Sequence, residues 1–293
     1  MTLPNKMKEK IQLLKQEYET LLMGKESLLA LIDENEIPES VYNSNAIENS
    51  TLTLKETEKI LLNMEVSRDV SLREVFEAKN LEQVMSYIKI KSKETDINKE
   101  MILFFHKMLL NNINDNIAGR FRRSGEYVRV GSHIAPAPEH IESMVHSLIM
   151  DYVNDLSGYF IEKIAKFHLG FETIHPFVDG NGRIGRSIIC YQLQRLGMPM
   201  IIIRDKEKGK YYDSFTEFKD KKSTKTMEKI IYLAITESLH KRTTYLKGEK
   251  IINVSDYAKK SKRSFASLLN SARSQTIPAF REKGVWKIGE NYK

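Results

Sequence analysis

The sequence predicts a mainly α-helical protein, and three observations support that fold class. Apolar residues recur at helical spacing through most of the chain. Residues 119–138 interrupt that spacing with three glycines around the β-favouring run Tyr-Val-Arg-Val, so they predict a β-hairpin. Residues 251–293 predict a small C-terminal module of two short helices and a second hairpin.

The helical segments follow from apolar spacing, capping residues and helix breakers. Thr53 and Glu56 predict a capping box, Pro38 is expected in the first turn of a helix, and Gly197 is expected to end one. Leu72 is placed in the buried stripe of its helix, and Pro199 argues against a central strand over 198–203. The predicted helices cover residues 6–35, 38–50, 51–64, 71–93, a segment beginning at 98, 139–154, 161–173, 182–196, a segment opening at 211, and 227–246.

Three regions are expected along the chain: an N-terminal helical region over 1–95, a central region over 96–247, and the module over 251–293. In the module, residues 255–260 and 264–269 predict the helices, and 276–281 with 284–288 predict the hairpin. This pattern resembles excisionase-type winged helix-turn-helix modules, which bind DNA or proteins, so either partner stays open.

Composition indicates a globular protein. The chain has 293 residues with 41% hydrophobic content, which is enough for a core. There is no apolar run near 18 residues and no signal-like N-terminus, so we expect a soluble, cytoplasmic protein without a membrane partner. The single cysteine, Cys190, excludes an intramolecular disulfide framework, and its apolar neighbours predict a buried, inert thiol.

The positive charge of the chain is concentrated near its C-terminal end. The net charge is +7. Residues 251–293 hold nine Lys/Arg and three Asp/Glu, a balance of +6, which leaves +1 for the first 250 residues. A polyanionic partner is therefore expected at the module, with a solvated basic surface as the alternative.

The richest chemistry lies in residues 175–186, which read His-Pro-Phe-Val-Asp-Gly-Asn-Gly-Arg-Ile-Gly-Arg. An imidazole can take a proton near neutral pH, a carboxylate suits Mg²⁺, and a glycine-rich turn can direct backbone N–H groups at an anion. Two arginines spaced i, i+3 share a helix face and suit phosphate oxygens. Together these groups predict a site for a nucleoside polyphosphate: His175, Asp179, Gly180, Asn181, Gly182, Arg183 and Arg186.

Two other motifs, a dinucleotide-binding pattern and a zinc-binding pattern, overlap this stretch but fit the sequence less well. Gly180, Gly182 and Gly185 satisfy G-x-G-x-x-G, but a dinucleotide site needs a preceding strand, and residues 161–172 have helical spacing instead. His168 and His175 flank Glu172 on one helix face, but they lack the established H-E-x-x-H zinc spacing. His106, on an apolar helix face, is expected to be a hydrogen-bonded structural histidine.

The 175–186 stretch resembles the Fic family signature H-P-F-x-D/E-G-N-G-R-x-x-R at every specified position. The resemblance implies a Fic-type helical bundle and transfer of AMP from ATP to a Ser, Thr or Tyr hydroxyl of a protein. In that family pattern His175 is the general base, Asp179 holds Mg²⁺, residues 180–182 cradle phosphates, and Arg183 and Arg186 contact the β- and γ-phosphates. The hairpin within 119–138 corresponds to the family's flap, which docks the target backbone.

The resemblance also implies self-inhibition. Ser44, Glu48 and Asn49 fit the family's inhibitory motif S/T-x-x-x-E-G/N, whose glutamate pairs with the arginine equivalent to Arg186. In some members this glutamate supports removal of AMP, so the reverse reaction stays open. The pair Tyr211 and Tyr212 is a candidate for the adenine pocket, with core packing as the alternative.

Two further functions stay open at this point: a DNA-binding regulator with a degenerate core, and a nucleotide sensor that binds ATP without transfer. Other phosphate donors, self-modification and homo-oligomerisation stay open as well.

Overall fold

The computed structural model describes residues 3–66, 70–131 and 133–292. The predicted ranges 1–95, 119–138 and 251–293 therefore each include positions outside the described residues. The helices are α1 Asn5–Leu22, α2 Glu26–Ile47, α3 Leu54–Asn63, α4 Leu72–Lys91, α5 Lys99–Leu110, α6 Ile141–Asn154, α7 Phe160–Ile174, α8 Asn181–Arg195, α9 Lys208–Lys221, α10 Lys225–Leu246, α11 Val254–Ser261 and α12 Phe265–Arg273.

The strands are short and form two small antiparallel sheets. Strands β1 (Arg129–Val130) and β2 (His133–Ile134) form the predicted first hairpin. In the C-terminal module, β4 (Ala279–Glu282) and β5 (Val285–Gly289) form the second hairpin, and β3 (Ile251–Asn253) pairs with β5 to give the order β3-β5-β4. The sequence analysis did not predict β3. The mainly helical fold class with a hairpin is confirmed.

The described chain divides into two compact units, which cut across the three predicted regions. The core unit contains residues 37–228, and the second unit combines residues 3–36 with 229–293. Within the core unit, α8 is buried around its whole circumference and packs against α4, α5 and α7. Such a helix is central, so its N-terminal end is held firmly by its neighbours. Cys190 lies on α8, and its thiol is buried, as predicted.

The second unit contains the C-terminal module with its own apolar cluster. That cluster includes Val254, Leu268 and Ile288, from α11, α12 and β5. The two predicted helices and the hairpin are present. Among the described residues, no helix is both long enough and apolar enough to cross a membrane.

Three local predictions are wrong. The single helix over 6–35 is broken, because Gly24 adopts a φ of +75° between α1 and α2. Pro38 lies inside α2 instead of opening a helix, and burial of Ile37 and Val41 beside it offsets the lost backbone donor. Leu72 is 75% exposed because it is the first residue of α4. The capping box of Thr53 and Glu56 is confirmed.

Candidate active site

The loop between α7 and α8 carries the 175–186 motif, and local rules determine its shape. His175 ends α7 in the left-handed region with a φ of 50°, and its N–H donates to the Phe171 carbonyl at 2.9 Å. The Asn181 amide accepts from the Phe177 N–H and donates to the Phe177 carbonyl, both at 2.9 Å. Gly180, with a φ of +83°, then leads into α8. The N-terminus of α8 therefore faces the loop, where free N–H groups favour an anion.

His175 is held as a neutral imidazole. Burial lowers the pKa of His175 to about 4, although a hydrogen bond to the Glu172 backbone carbonyl acts in the opposite direction. That carbonyl can only accept, so the bonded ring nitrogen of the neutral imidazole carries the proton and the other ring nitrogen keeps a lone pair for a substrate proton. Burial raises the pKa of Glu172 to about 8. The nearby Glu172 side chain, with Oε2 at 3.7 Å from Nδ1, is therefore protonated at neutral pH.

Arg186 is buried, and its guanidinium is surrounded by hydrogen-bond acceptors. At the end of α2 and just after it, Arg186 donates to Ser44 Oγ at 3.0 Å, to the Ser44 carbonyl at 2.8 Å and to Glu48 Oε1 at 2.9 Å. From α9, the Tyr211 hydroxyl lies 3.3 Å from Arg186 Nη1. Burial alone would lower the pKa of Arg186, but these neighbours raise it, so the side chain is always charged.

The residues around Glu48 fit the family pattern S/T-x-x-x-E-G/N. Asn49 adopts a φ of 67° at the end of α2, a conformation that glycine and asparagine tolerate best. The Glu48 carboxylate approaches the N-terminus of α8 at Gly182, where a Cβ atom would clash with Oε1. The structure therefore brings Ser44 and Glu48 into contact with Arg186, and Asn49 follows directly in the turn.

Asp179 and Arg183 are also paired, with residues that the sequence analysis missed. Arg183 lies 3.1 Å from Asp179 and 3.0 Å from Glu77, and Arg73 contacts both carboxylates. Burial would raise the pKa of Asp179, but Arg183 and Arg73 hold it below its usual range. Arg73 and Glu77 form an ordinary i, i+4 pair on α4, so their sequence pattern contains no signal of the site.

The residues present fit Mg²⁺ only as a partner shared with a nucleotide. Asp179 is an ionised, partly exposed carboxylate directly before Gly180, which leads into α8. No group of three His, Cys, Asp or Glu side chains in the described ranges is placed to hold a metal. A Mg²⁺ ion held by one carboxylate takes its remaining ligands from phosphate oxygens and water, which is common for this ion.

The two candidate adenine-pocket tyrosines occupy different environments. Tyr211 is 2% exposed and packs edge-on against Phe215 with ring centroids 4.8 Å apart. Tyr212 is 44% exposed, and its hydroxyl donates to the Ile47 carbonyl at 3.0 Å. Core packing, the alternative considered for the pair, describes Tyr211 well, whereas Tyr212 presents an accessible ring.

The flap is joined to the motif loop by two buried side chains. His106 donates from Nε2 to the Asp179 carbonyl and accepts the Gly119 N–H at Nδ1, both at 3.0 Å. Its ring also stacks on Phe177 at a centroid distance of 3.7 Å. Arg122 donates to the carbonyls of His175 and Pro136, both at 2.9 Å. His106 is therefore the hydrogen-bonded structural histidine that the sequence predicted, and it positions the loop that carries Asp179.

Comparison with known proteins identifies a family domain that includes the 175–186 motif. Residues 96–193 match the model of the Fic/DOC family. Protein adenylyltransferase Fic of Aedes aegypti is 32% identical over 178 residues, covering 59% of this chain and 35% of that protein. Protein adenylyltransferase fic-1 of Caenorhabditis elegans is 29% identical over 244 residues, covering 81% of this chain and 44% of that protein. This chain thus spans less than half the length of these relatives.

A Fic domain containing signaling protein from Bacteroides thetaiotaomicron VPI-5482 shares the fold. Its TM-score is 0.73 at 24% identity, covering 82% of this chain and 97% of that one. The fold and the 175–186 motif are those of a Fic domain, as the resemblance of the motif implied. The Fic domain itself lies in residues 96–193 of this chain.

Proposed function

We propose that this protein transfers AMP from ATP to a hydroxyl group of a protein and restrains itself through Glu48. The observation that carries the proposal is the arrangement of the motif loop, in which a neutral His175 and the N-terminus of α8 adjoin a buried Arg186 already paired with Glu48. The names of the curated relatives add support, since they are protein adenylyltransferases.

The proposed reaction is an in-line displacement at the α-phosphorus. The unprotonated ring nitrogen of His175 removes the hydroxyl proton of the target, the hydroxyl oxygen forms a bond to the α-phosphorus, and the bond to pyrophosphate breaks. Gly180, Asn181 and Gly182 supply backbone N–H groups to the phosphates. Asp179 would hold Mg²⁺, which offsets phosphate charge when bound. Arg183 and Arg186 would contact the β- and γ-phosphates respectively.

Self-inhibition follows from competition for one guanidinium. The Glu48 carboxylate occupies the Nη2 donor of Arg186 at 2.9 Å and places negative charge where a γ-phosphate would lie. ATP must therefore displace Glu48 before the polyphosphate can extend toward Arg186. The same carboxylate lies close to Gly182 and would assist attack of water on a bound AMP ester, so AMP removal is part of this proposal.

The test is label transfer from α-phosphate-labelled ATP in the presence of Mg²⁺. Wild type, Glu48→Gly and Glu48→Gly/His175→Ala are compared, with Glu142→Gln as the control. Glu142 is a suitable control because it forms an exposed ion pair with Lys99 at 2.6 Å on the surface of α6. Strong labelling by Glu48→Gly alone supports the proposal. Equal labelling with and without His175 contradicts the assigned base.

A second function, nucleic-acid binding by the C-terminal module, is favoured by exposed basic side chains on and beside α11 and α12. Lys259, Lys262, Arg263 and Arg273 are all exposed. We propose that these four side chains contact DNA phosphates, so the affinity for duplex DNA should fall steeply as the salt concentration rises. The paired change Lys262→Glu and Arg263→Glu should remove most of that binding; unchanged affinity would count against it.

A further inference from the structure

The buried Arg186 has partners from two different helices. Ser44 on α2 and Glu48, the residue after the end of α2, accept hydrogen bonds from it together, whereas Tyr211 reaches it from α9. A movement of the end of α2 would therefore remove the Ser44 and Glu48 contacts together. Within the described residues, the side-chain hydrogen bond that Arg186 makes beyond Ser44 and Glu48 is the one to Tyr211.

The proton positions around Tyr211 are determined by its neighbours. Arg186 can only donate, so the Tyr211 oxygen accepts from Nη1. His168 Nε2 lies 2.9 Å from the same oxygen, and burial, with the Arg186 charge, lowers the pKa of His168 to about 3. A neutral His168 accepts the Tyr211 proton, which leaves the tyrosine lone pairs directed toward Arg186. The hydrogen bonds from Tyr211 to His168 and from Arg186 to Tyr211 thus do not involve Glu48.

We infer that Tyr211 is a positioning residue for Arg186, whose hydroxyl keeps the guanidinium directed at the γ-phosphate site after Glu48 has left. The inference rests on the proposed function, since it assigns Arg186 to the γ-phosphate. Without Tyr211, withdrawal of Glu48 would free the arginine to rotate, and ATP would have to order it again. Tyr211 therefore acts on the terminal phosphate through Arg186 and does not contact adenine.

The packing of Tyr211 supports this assignment. Its ring is covered by Phe215 and His168, with centroids at 4.8 and 5.7 Å, and leaves no accessible face for a base. The Arg186 guanidinium lies 5.7 Å from the ring centroid. A change from tyrosine to phenylalanine keeps this packing and removes only the hydroxyl.

The experiment measures the affinities of Mg²⁺-ATP, ADP and AMP for Glu48→Gly chains with and without Tyr211→Phe. Tyr211→Phe should weaken ATP binding about tenfold, the effect of losing one hydrogen bond to a charged group, while AMP affinity stays unchanged. In kinetics, KM for ATP should rise with little change in kcat. Tyr191→Phe is the matched control, because the buried Tyr191 on α8 also loses a hydroxyl, one bonded to the Thr95 carbonyl.

Equal weakening of all three nucleotides would overturn the inference in favour of adenine contact, and unchanged ATP affinity would overturn it outright. His168→Leu is the second variant, in case Tyr211→Phe lowers Tm and abolishes AMP binding; it should reproduce the selective loss of ATP affinity. If Glu48→Gly binds ATP no more tightly than AMP, the γ-phosphate role of Arg186 in the proposed function is wrong and the inference falls with it. If that preference holds but neither variant changes it, the inference alone fails.

Discussion

Removal of the Glu48 carboxylate should raise ATP affinity by an amount that the geometry sets. One charged hydrogen bond at 2.9 Å is lost, which is worth about 1.5–3 kcal/mol when buried. Glu48 is 39% exposed, so solvent screening reduces this to about 1–2 kcal/mol. A competitor of that strength lowers apparent affinity about 5- to 30-fold. Glu48→Gly should therefore tighten ATP binding by that factor, and Glu48→Gln, which keeps an acceptor without charge, by less.

The assay is calorimetric titration with a non-hydrolysable ATP analogue, with AMP as the second ligand. AMP has no γ-phosphate, so its affinity should be similar in wild type, Glu48→Gly and Glu48→Gln. Glu142→Gln serves as the control for loss of an ion pair away from the motif loop. A uniform gain for ATP and AMP, or no gain for either, would refute the competition at Arg186.

Three further predictions follow from the charges of the molecule. In the Glu48→Gly background, Asp179→Asn should raise the Mg²⁺ concentration needed for half-maximal AMP transfer more than tenfold. Arg73→Ala should lower that concentration about twofold, because the exposed ion pair that competes for Asp179 is weak. An unchanged Mg²⁺ requirement in Asp179→Asn would contradict the metal assignment. The pKa of His106 is about 4 in the folded protein, against 6.5 for an ordinary histidine. The contribution of neutral His106 to the free energy of unfolding should therefore be complete above pH 6.5 and fall by up to about 3 kcal/mol toward pH 4. In urea unfolding at a series of pH values, the free energy of unfolding of His106→Gln should fall less toward acid pH than that of wild type. The same pH dependence in both proteins would refute this prediction. Arg242→Leu should destabilise the second unit by about 3–5 kcal/mol, because Arg242 pairs with two carboxylates, each at 2.7 Å; a thermal scan with unchanged Tm would show that the pair is dispensable.

Much of the fold could be read from local rules. The capping box of Thr53 and Glu56, the glycine that ends α8 and the β-hairpin after Gly119 depend on residues close in sequence, so their signals are local. Pro38 shows where such rules fail. Its first-turn preference is outweighed inside α2 by the burial of Ile37 and Val41, which a sequence pattern does not reveal.

The sequence by itself pointed to a Fic domain and predicted the candidate site residues, because the 175–186 motif places an imidazole, a carboxylate, a glycine-rich turn and two arginines in one contiguous stretch. The tertiary structure decided how those residues are partnered. Three pairings join elements that are distant in the sequence: Tyr211 with Arg186, Glu77 with Arg183, and His106 with the Asp179 carbonyl. Such pairings form only when the helices pack, and one ion pair or hydrogen bond between distant segments leaves no periodicity in the chain that could predict it.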